Sequence, residues 1–564
     1  MTGRTQPARR WAGPWDRVND PAGGSRRSSA NSAVVEARSG AAVASSPAGV
    51  ARSLTAVVAG AALGLSFQPY NLWPLLLVAL PALTLAVRGV PVRRGLGLGY
   101  LFGVAFLAVT ISWVHVLGVW VAALLVLVEA LFFAGLGAAL SLVTRLRGWP
   151  VLAACCWVGV EYAYSRVPFG GFGWTRIAYA AVDTPLAGFL PLVGVAGVSF
   201  LVALAGQLVA WLVLTLRHRG LTTAVGIRRL AVVAAVLVLL VGAGAGLRQW
   251  QTDPQPEAAG ELQVGVVQGN VPGRGIEALG RARTVTTNHL AETVALMTRA
   301  RLGLVPVPDF VLWPENSTDI DPYRDPVTRQ TVQNAAEVAG VPIMVGAVTQ
   351  GPGAGERQIT ALWWDPDRGE TARYHKQNLV PFGEWIPLRK QLLPLLPILS
   401  KVGAQSVPGT EPGVLPVQAG GRDVVVGDVM CFELAYDRTV YGTLRAGAEV
   451  LVVQSNNATY GGTGQIEQQF AITRARAMEA RREIAVATTN SVSGVIDRSG
   501  RVVQRTNEFT AASLVTALPL RSSLTPAVLV APWLDRGLAV AGLLACLLTL
   551  RQPRHRHSAP SEVR

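Results

Sequence analysis

Apolar runs alternate with short polar turns along the first half of the chain. They cover about residues 54–68, 72–88, 95–114, 116–143, 149–164, 186–216 and 228–247, and an eighth covers about 536–550. A helix needs about 20 apolar residues to cross a bilayer, fewer with interfacial side chains at its ends. The series predicts a membrane domain of seven helices over residues 53–250 and an eighth membrane helix over 535–551. Between about Glu261 and Leu520 the pattern changes. Strand-like stretches (LQVGVVQ, DFVLWP, VPIMVGAVT, ITALWWDP, DVVVGDVMC, EVLVVQS and EIAVATTN) alternate with helical periods at about 281–301, 325–339 and 464–481. In the last helix Ile466, Phe470, Thr473 and Ala477 trace one face. The expectation for 261–520 is an α/β domain with a helix-covered sheet. Residues 1–52, rich in Arg, Ser, Gly, Ala and Pro, read as a disordered basic tail, and 552–564 as a second short tail.

Charge adds orientation. The formal net charge is +15, yet about 24 basic and about 24 acidic residues fall between Leu262 and Leu520. A nearly neutral polar domain argues against nucleic acid as a partner. The excess lies in the tails and in the turns holding Arg88, Arg93 and Arg94, then Arg145 and Arg147, then Arg217, Arg219, Arg228 and Arg229. Placing these turns in the cytoplasm places both termini there and the polar domain outside a plasma membrane. The loop YSRVPFGGFGWTRIAYAAVDTP departs from the rule through Arg166 and Arg176, and its aromatics and glycines predict a loop lying at the membrane surface. Glu129 and Glu161 fall within or near the ends of spans, which leaves function and helix packing as alternatives.

Three strand-like runs deliver chemistry. Glu315 follows DFVLWP, Lys376 follows TARYH, and Cys431 follows DVVVGDVM. Strand ends are rigid supports that open onto loops, where α/β proteins place reacting groups. Cys431 is the one cysteine of the polar domain, so it closes no disulfide there and is either an inert core thiol or a reactive one. If the three converge, the carboxylate takes the thiol proton. The ammonium and a backbone N–H after the nucleophile then hold an oxyanion. The ammonium is also expected to favour the thiolate, against burial and the carboxylates. Only three of the 50 basic residues are lysines, which marks Lys376 as a site needing a compact charge. No His/Cys cluster offers a metal site, and no cofactor is implied.

In this order, and in the settings WPE, HKQNLVPFGEW and CFE, these residues resemble the nitrilase superfamily. LVPFGE together with several spans, and the segments FQPYNLWP, ISWVHVLG and VPFGGFGWTRIAYAAVDTPLAGF, resemble its membrane-embedded branch, the bacterial apolipoprotein N-acyltransferases. The likeness runs from about Leu54 to Leu550. It implies an α-β-β-α sandwich outside the membrane, with Cys431 as nucleophile, Glu315 as general base and Lys376 as the oxyanion-side cation. Glu384 and Glu433 match supporting carboxylates, and Trp313, Trp385, Phe432, Asn456 and Tyr460 are the substrate-binding candidates. Phe432 stands where the family often has Tyr, and Asn457 where it often has Asp. Trp385, Ile386 and Leu388, with QLLPLLPILS, are the candidates for a lid toward lipid.

The resemblance implies that a membrane phospholipid gives an acyl chain to the cysteine. The thioester then passes it to the N-terminal amine of a diacylglyceryl-cysteine apolipoprotein. Two other readings keep the same residues: a membrane-anchored nitrilase-type amidase acting on a soluble substrate, and a non-catalytic lipoprotein binder.

Overall fold

The computed structural model describes residues 47–220, 223–252, 258–271, 273, 283–394 and 397–551. Most of the expected N-terminal tail and all of the C-terminal tail lie outside the described residues, but residues 47–52 already belong to the first helix. Every apolar run is helical: α1 (Pro47–Leu65), α2 (Leu76–Val87), α3 (Val92–Thr110), α4 (Val119–Val143), α5 (Trp149–Tyr164), α6 (Leu190–Arg219), α7 (Ala224–Thr252) and, after the polar domain, α12 (Pro526–Arg551). Six of them are long and apolar enough to cross a membrane, not eight. The exceptions are α2, which with its lead-in turn covers Trp73–Val87, and α5 with 16 residues. At 1.5 Å per residue α5 reaches about 24 Å, short of a hydrocarbon core of about 30 Å.

One long helix is broken. Within α6, Gly194 has φ 65° and ψ −173°, a conformation open mainly to glycine. The break frees backbone groups of the helix, and the N–H of Val195 donates to Glu479 Oε1 of the polar domain at 2.9 Å. A Cβ at residue 194 would lie 2.7 Å from Ala531 Cβ and 2.8 Å from both Glu479 Oε1 and the Tyr441 hydroxyl.

The polar domain holds two sheets. The first joins β1 (Glu261–Gln268), β2 (Phe310–Leu312), β3 (Ile343–Gln350), β4 (Glu356–Asp365), β5 (Gly369–His375) and β13 (Ala512–Pro519) in the order β13-β1-β2-β3-β4-β5, with β6 (Gln405–Ser406) beside β4. The second joins β7 (Val414–Ala419), β8 (Arg422–Asp428), β9 (Val450–Ser455), β10 (Ile484–Thr488), β11 (Gly494–Ile496) and β12 (Val502–Arg505) in the order β12-β11-β10-β9-β8-β7. β1, β2 and β3 run parallel, as do β8, β9 and β10. Their crossovers carry α8 (Thr284–Arg301), α9 (Pro326–Ala339), α10 (Asp437–Arg445) and α11 (Gln465–Ala480).

Burial orders these layers. Val264, Val266, Phe310 and Trp363 of the first sheet share a core with Val424, Val426, Val452 and Ala485 of the second. The other face of the first sheet packs on α8 and α9 through Leu296, Val332 and Ala336. The other face of the second sheet packs on α10 and α11, and that core continues without a break into the membrane helices. An α-β-β-α sandwich therefore sits with one helical layer against the membrane half. The face of α11 traced by Ile466, Phe470, Thr473 and Ala477 is buried, as expected, but so are Gln465, Gln468, Gln469, Arg476 and Glu479 on its other sides. The helix is enclosed, not amphipathic toward water.

Candidate active site

β2, β5 and β8 end on the same edge of the sandwich and deliver Glu315, Lys376 and Cys431. Glu315 can turn in close because β3 offers no side chain at Gly346, where a Cβ would meet Pro314 O at 2.3 Å and Glu315 Cα at 2.6 Å. Lys376 Nζ donates to Glu315 Oε1 at 2.7 Å and to Glu384 Oε1 at 2.6 Å. The second oxygen of each carboxylate is also held: Asn456 N–H donates to Glu315 Oε2 at 2.9 Å, and Val380 N–H to Glu384 Oε2 at 2.8 Å. Lys376 and Glu315 are almost fully buried. Charges taken out of water need this degree of pairing.

Cys431 opens the turn after β8 with φ 48°. A left-handed backbone costs an L-residue about 1 kcal/mol or more, and such strain gathers at functional sites. The thiol donates to Asn457 Oδ1 at 3.7 Å, while Glu315, Lys376 and Glu384 act on the sulfur through their fields. Burial, then Glu315, pushes the thiol up to about 12, and Lys376 offsets only part of this. Desolvation and two carboxylates thus outweigh the one ammonium expected to favour the thiolate. Burial, reinforced by Glu384, also raises Glu315 above the usual carboxylate range, although Lys376 opposes it. Burial alone would depress Lys376, but Glu315, Glu384 and Cys431 hold it well above its ordinary value, so it stays an ammonium.

Glu433 takes a different place from the other carboxylates. Its Oε1 accepts from Gln377 N–H at 2.7 Å, Asn378 N–H at 3.0 Å and the Tyr374 hydroxyl at 2.9 Å, and its Oε2 accepts from Met430 N–H at 2.9 Å. It bolts the Lys376 loop to the Cys431 turn. Asp428, at the end of β8, is fully buried with neither carboxyl oxygen hydrogen-bonded, and burial followed by Glu433 and Glu315 raises it well above the usual range.

The remaining candidates divide. Phe432 stacks on Phe172 and Trp174, each 5.9 Å away, from the membrane half. Tyr460 meets Trp113 edge-on at 5.1 Å and lies within the field of Cys431. Trp385 meets Phe169 at 6.3 Å and, with Phe169, Gly170, Gln377, Asn378 and Tyr436, lines a cavity of about 240 Å³ beside Lys376. Asn456 contributes through its backbone N–H, while its side-chain oxygen is taken by Thr489 and Ala458. Trp313 is corrected. Its ring is fully buried behind β2, against His289 and bonded to Thr293 Oγ1 at 2.9 Å, in the core away from the cleft. Of the expected lid, Leu388 is exposed and Trp385 half-buried but Ile386 is buried, and residues 395–396 of its apolar run lie outside the described residues.

The loop expected at the membrane surface divides: residues 166–170 are exposed, Val167 and Phe169 among them, whereas most of the stretch from Gly171 to Thr184 is enclosed between the two halves. Arg176 is buried, with Asp437 at 2.8 Å and Glu161 at 3.5 Å, and the Tyr436 hydroxyl donates to Gly171 O at 2.8 Å. The aromatics of the enclosed part pack on protein because the Cys431 turn supplies matching rings. Glu161 thus has a packing partner, and its Oε1 also accepts Ile177 N–H at 2.8 Å.

The chain is similar to known proteins over most of its length. Residues 59–208 match the apolipoprotein N-acyltransferase N-terminal domain, and residues 264–523 match the carbon-nitrogen hydrolase family. Apolipoprotein N-acyltransferase of Mycolicibacterium smegmatis is 35% identical over 515 residues, covering 88% of this chain and 84% of that protein. The Vibrio cholerae protein of the same name is 28% identical over 499 residues, covering 84% and 92%. An amidase structure from Nesterenkonia sp. aligns at 18% identity with a TM-score of 0.33, covering 47% of this chain and 92% of that one. Related over most of its length to such proteins, the chain belongs to the apolipoprotein N-acyltransferase family and is a multi-pass membrane acyltransferase of lipoprotein N-acylation.

Proposed function

We propose that Cys431 carries the acyl chain as a thioester between a phospholipid donor and the α-amine of a diacylglyceryl-cysteine apolipoprotein. In the first half-reaction Glu315 takes the thiol proton as sulfur attacks the ester carbonyl. Lys376 and the backbone N–H of Phe432 hold the oxyanion. The C–O bond breaks, and Glu315 returns the proton to the departing lysophospholipid oxygen. In the second, Glu315 takes a proton from the attacking amine, the C–S bond breaks, and the thiol is restored with an amide as product. Glu384 and Glu433 act on positions: one fixes the ammonium, the other the nucleophile turn.

The observation that carries this reading is the ammonium of Lys376 clasped by Glu315 and Glu384 beside a strained cysteine. A raised Glu315 suits a base that must hold and return a proton. Lipid substrates are favoured over the soluble amide because Phe432 and Leu434 of the nucleophile turn share one apolar core with the membrane helices. Acyl chains worth about 0.8 kcal/mol per buried CH₂ arrive most readily along such a surface. The same reading puts the catalytic domain outside the membrane and both termini in the cytoplasm; it requires the short helices α2 and α5 to cross along with the six long ones, because only then do all the arginine-bearing turns fall on one side.

Intact-mass measurement tests it. Purified protein mixed with a defined phospholipid should gain one acyl group on Cys431 and lose it when a diacylated lipopeptide is added. Cys431→Ala should insert normally and gain none. An acyl group mapped to another residue, or one that the amine cannot discharge, would defeat the scheme.

A further inference from the structure

One amide on α11 holds two tryptophans of the membrane half. Gln468 is buried, and all four of its hydrogen-bonding positions are used. Its Oε1 accepts the indole N–H groups of Trp113 and Trp174, each at 2.9 Å. Its Nε2 donates to Gln68 O at 2.8 Å and to Thr110 O at 2.7 Å. The two indoles touch each other at 5.9 Å. Trp113 then backs Tyr460, and Trp174 stacks on Phe432 at an interplanar angle of 20°. Phe432 follows the nucleophile in sequence, and Tyr460 shares its electrostatic surroundings. The ring next to Cys431 in sequence and the ring within its field therefore both rest on indoles whose orientation one side chain sets.

We propose that Gln468 is a positioning residue that shapes the aromatic wall beside Cys431 and thereby sets the donor chain length the enzyme prefers. The proposal rests on Cys431 being the acyl-accepting thiol. Glutamine is the side chain that fits, because two acceptor and two donor functions are needed at one point. Glutamate keeps the shape but supplies no donor, so carboxylate oxygen would face the carbonyls of Gln68 and Thr110. Leucine would strand two indole N–H groups and two carbonyls. Either change frees the indoles to tilt, and Phe432 and Tyr460 lose their backing. A long chain touches such a wall over many carbons and a short chain over few, so the effect must grow with chain length.

The test uses the full-length protein in detergent and follows acylation of Cys431 by intact mass, with dipalmitoyl and dihexanoyl phosphatidylglycerol as donors. Gln468→Glu should lower the ratio of long-chain to short-chain rates by about tenfold. Trp113→Phe and Trp174→Phe keep an aromatic ring at each place but remove the pyrrole part of the indole with its N–H. They should shift the ratio the same way by about threefold, and they decide the matter if Gln468→Glu does not insert. A slowing that leaves the ratio unchanged, or no change in either rate, would assign Gln468 a role in folding alone and overturn the proposal. Wild-type protein that acquires no acyl group on Cys431 from either donor would instead sink the underlying assignment of the nucleophile.

Discussion

Burial and the neighbouring carboxylates push the Cys431 thiol upward, so the proposed attack requires a proton acceptor. Two consequences can be measured with a small neutral alkylating reagent. With the thiol pushed up to about 12, its thiolate fraction should rise about tenfold per pH unit from pH 7 to 10, with no plateau near 9. Glu315→Gln removes a negative charge that raises the thiol. It should speed alkylation at a given pH while acyl transfer is lost, separating the field of Glu315 from its work as a base. A plateau near pH 9 in the wild type would show that Lys376 dominates instead. The three proposed reacting residues were legible in the sequence: Glu315 and Cys431 each follow an apolar strand run, whereas Lys376, after the polar TARYH, stands out by its setting in HKQNLVPFGEW. The partner of the sulfur, Asn457, and the N–H of Asn456 on Glu315 were not. Their roles come from the parallel register of β8, β9 and β10, which sequence spacing does not reveal. Trp313 was misplaced because nearness to Glu315 in sequence does not carry over to space: β2 ends at Leu312, and the chain then turns through Pro314, taking Glu315 to the cleft while the Trp313 ring stays in the core shared with α8 and α9.

Elements meet at Glu433, which ties the end of β5 to the end of β8. Gln at this position would turn an amide N–H toward N–H groups of Gln377, Asn378 or Met430. We expect Glu433→Gln to lower the stability of the catalytic domain by about 2 kcal/mol and to abolish acylation. A thermal melt of the detergent-solubilised protein checks this, and an unchanged midpoint would show that the bolt is dispensable. The central strands were readable from their apolar runs. β5, β7 and the strands after β10 were not, since GETARYH and VLPVQA alternate or carry Pro and belong to sheet edges. The helix α11 shows why periodicity stops short. One apolar face was evident, but the burial of its polar side depends on residues such as Gln68, 400 positions away.

Across the whole molecule the two halves are one folding problem. Arg176 of the membrane half and Arg476 of α11 both grip Asp437, at 2.8 Å and 2.7 Å. These charges, with burial opposed, hold that carboxyl far below its usual range. Under the proposed topology, a green fluorescent protein fused after the last residue should fluoresce, and alkaline phosphatase fused there should be inactive. The reverse pattern would invert the topology. The break in α6 has a consequence for the assembly. Gly194 lies where Glu479, Tyr441 and Ala531 converge, in space that a single methyl would fill. How deeply the outer sandwich settles onto its bed of helices, and so how near the bilayer the reactive sulfur rides, is limited by one missing carbon atom about 240 positions along the chain from Cys431.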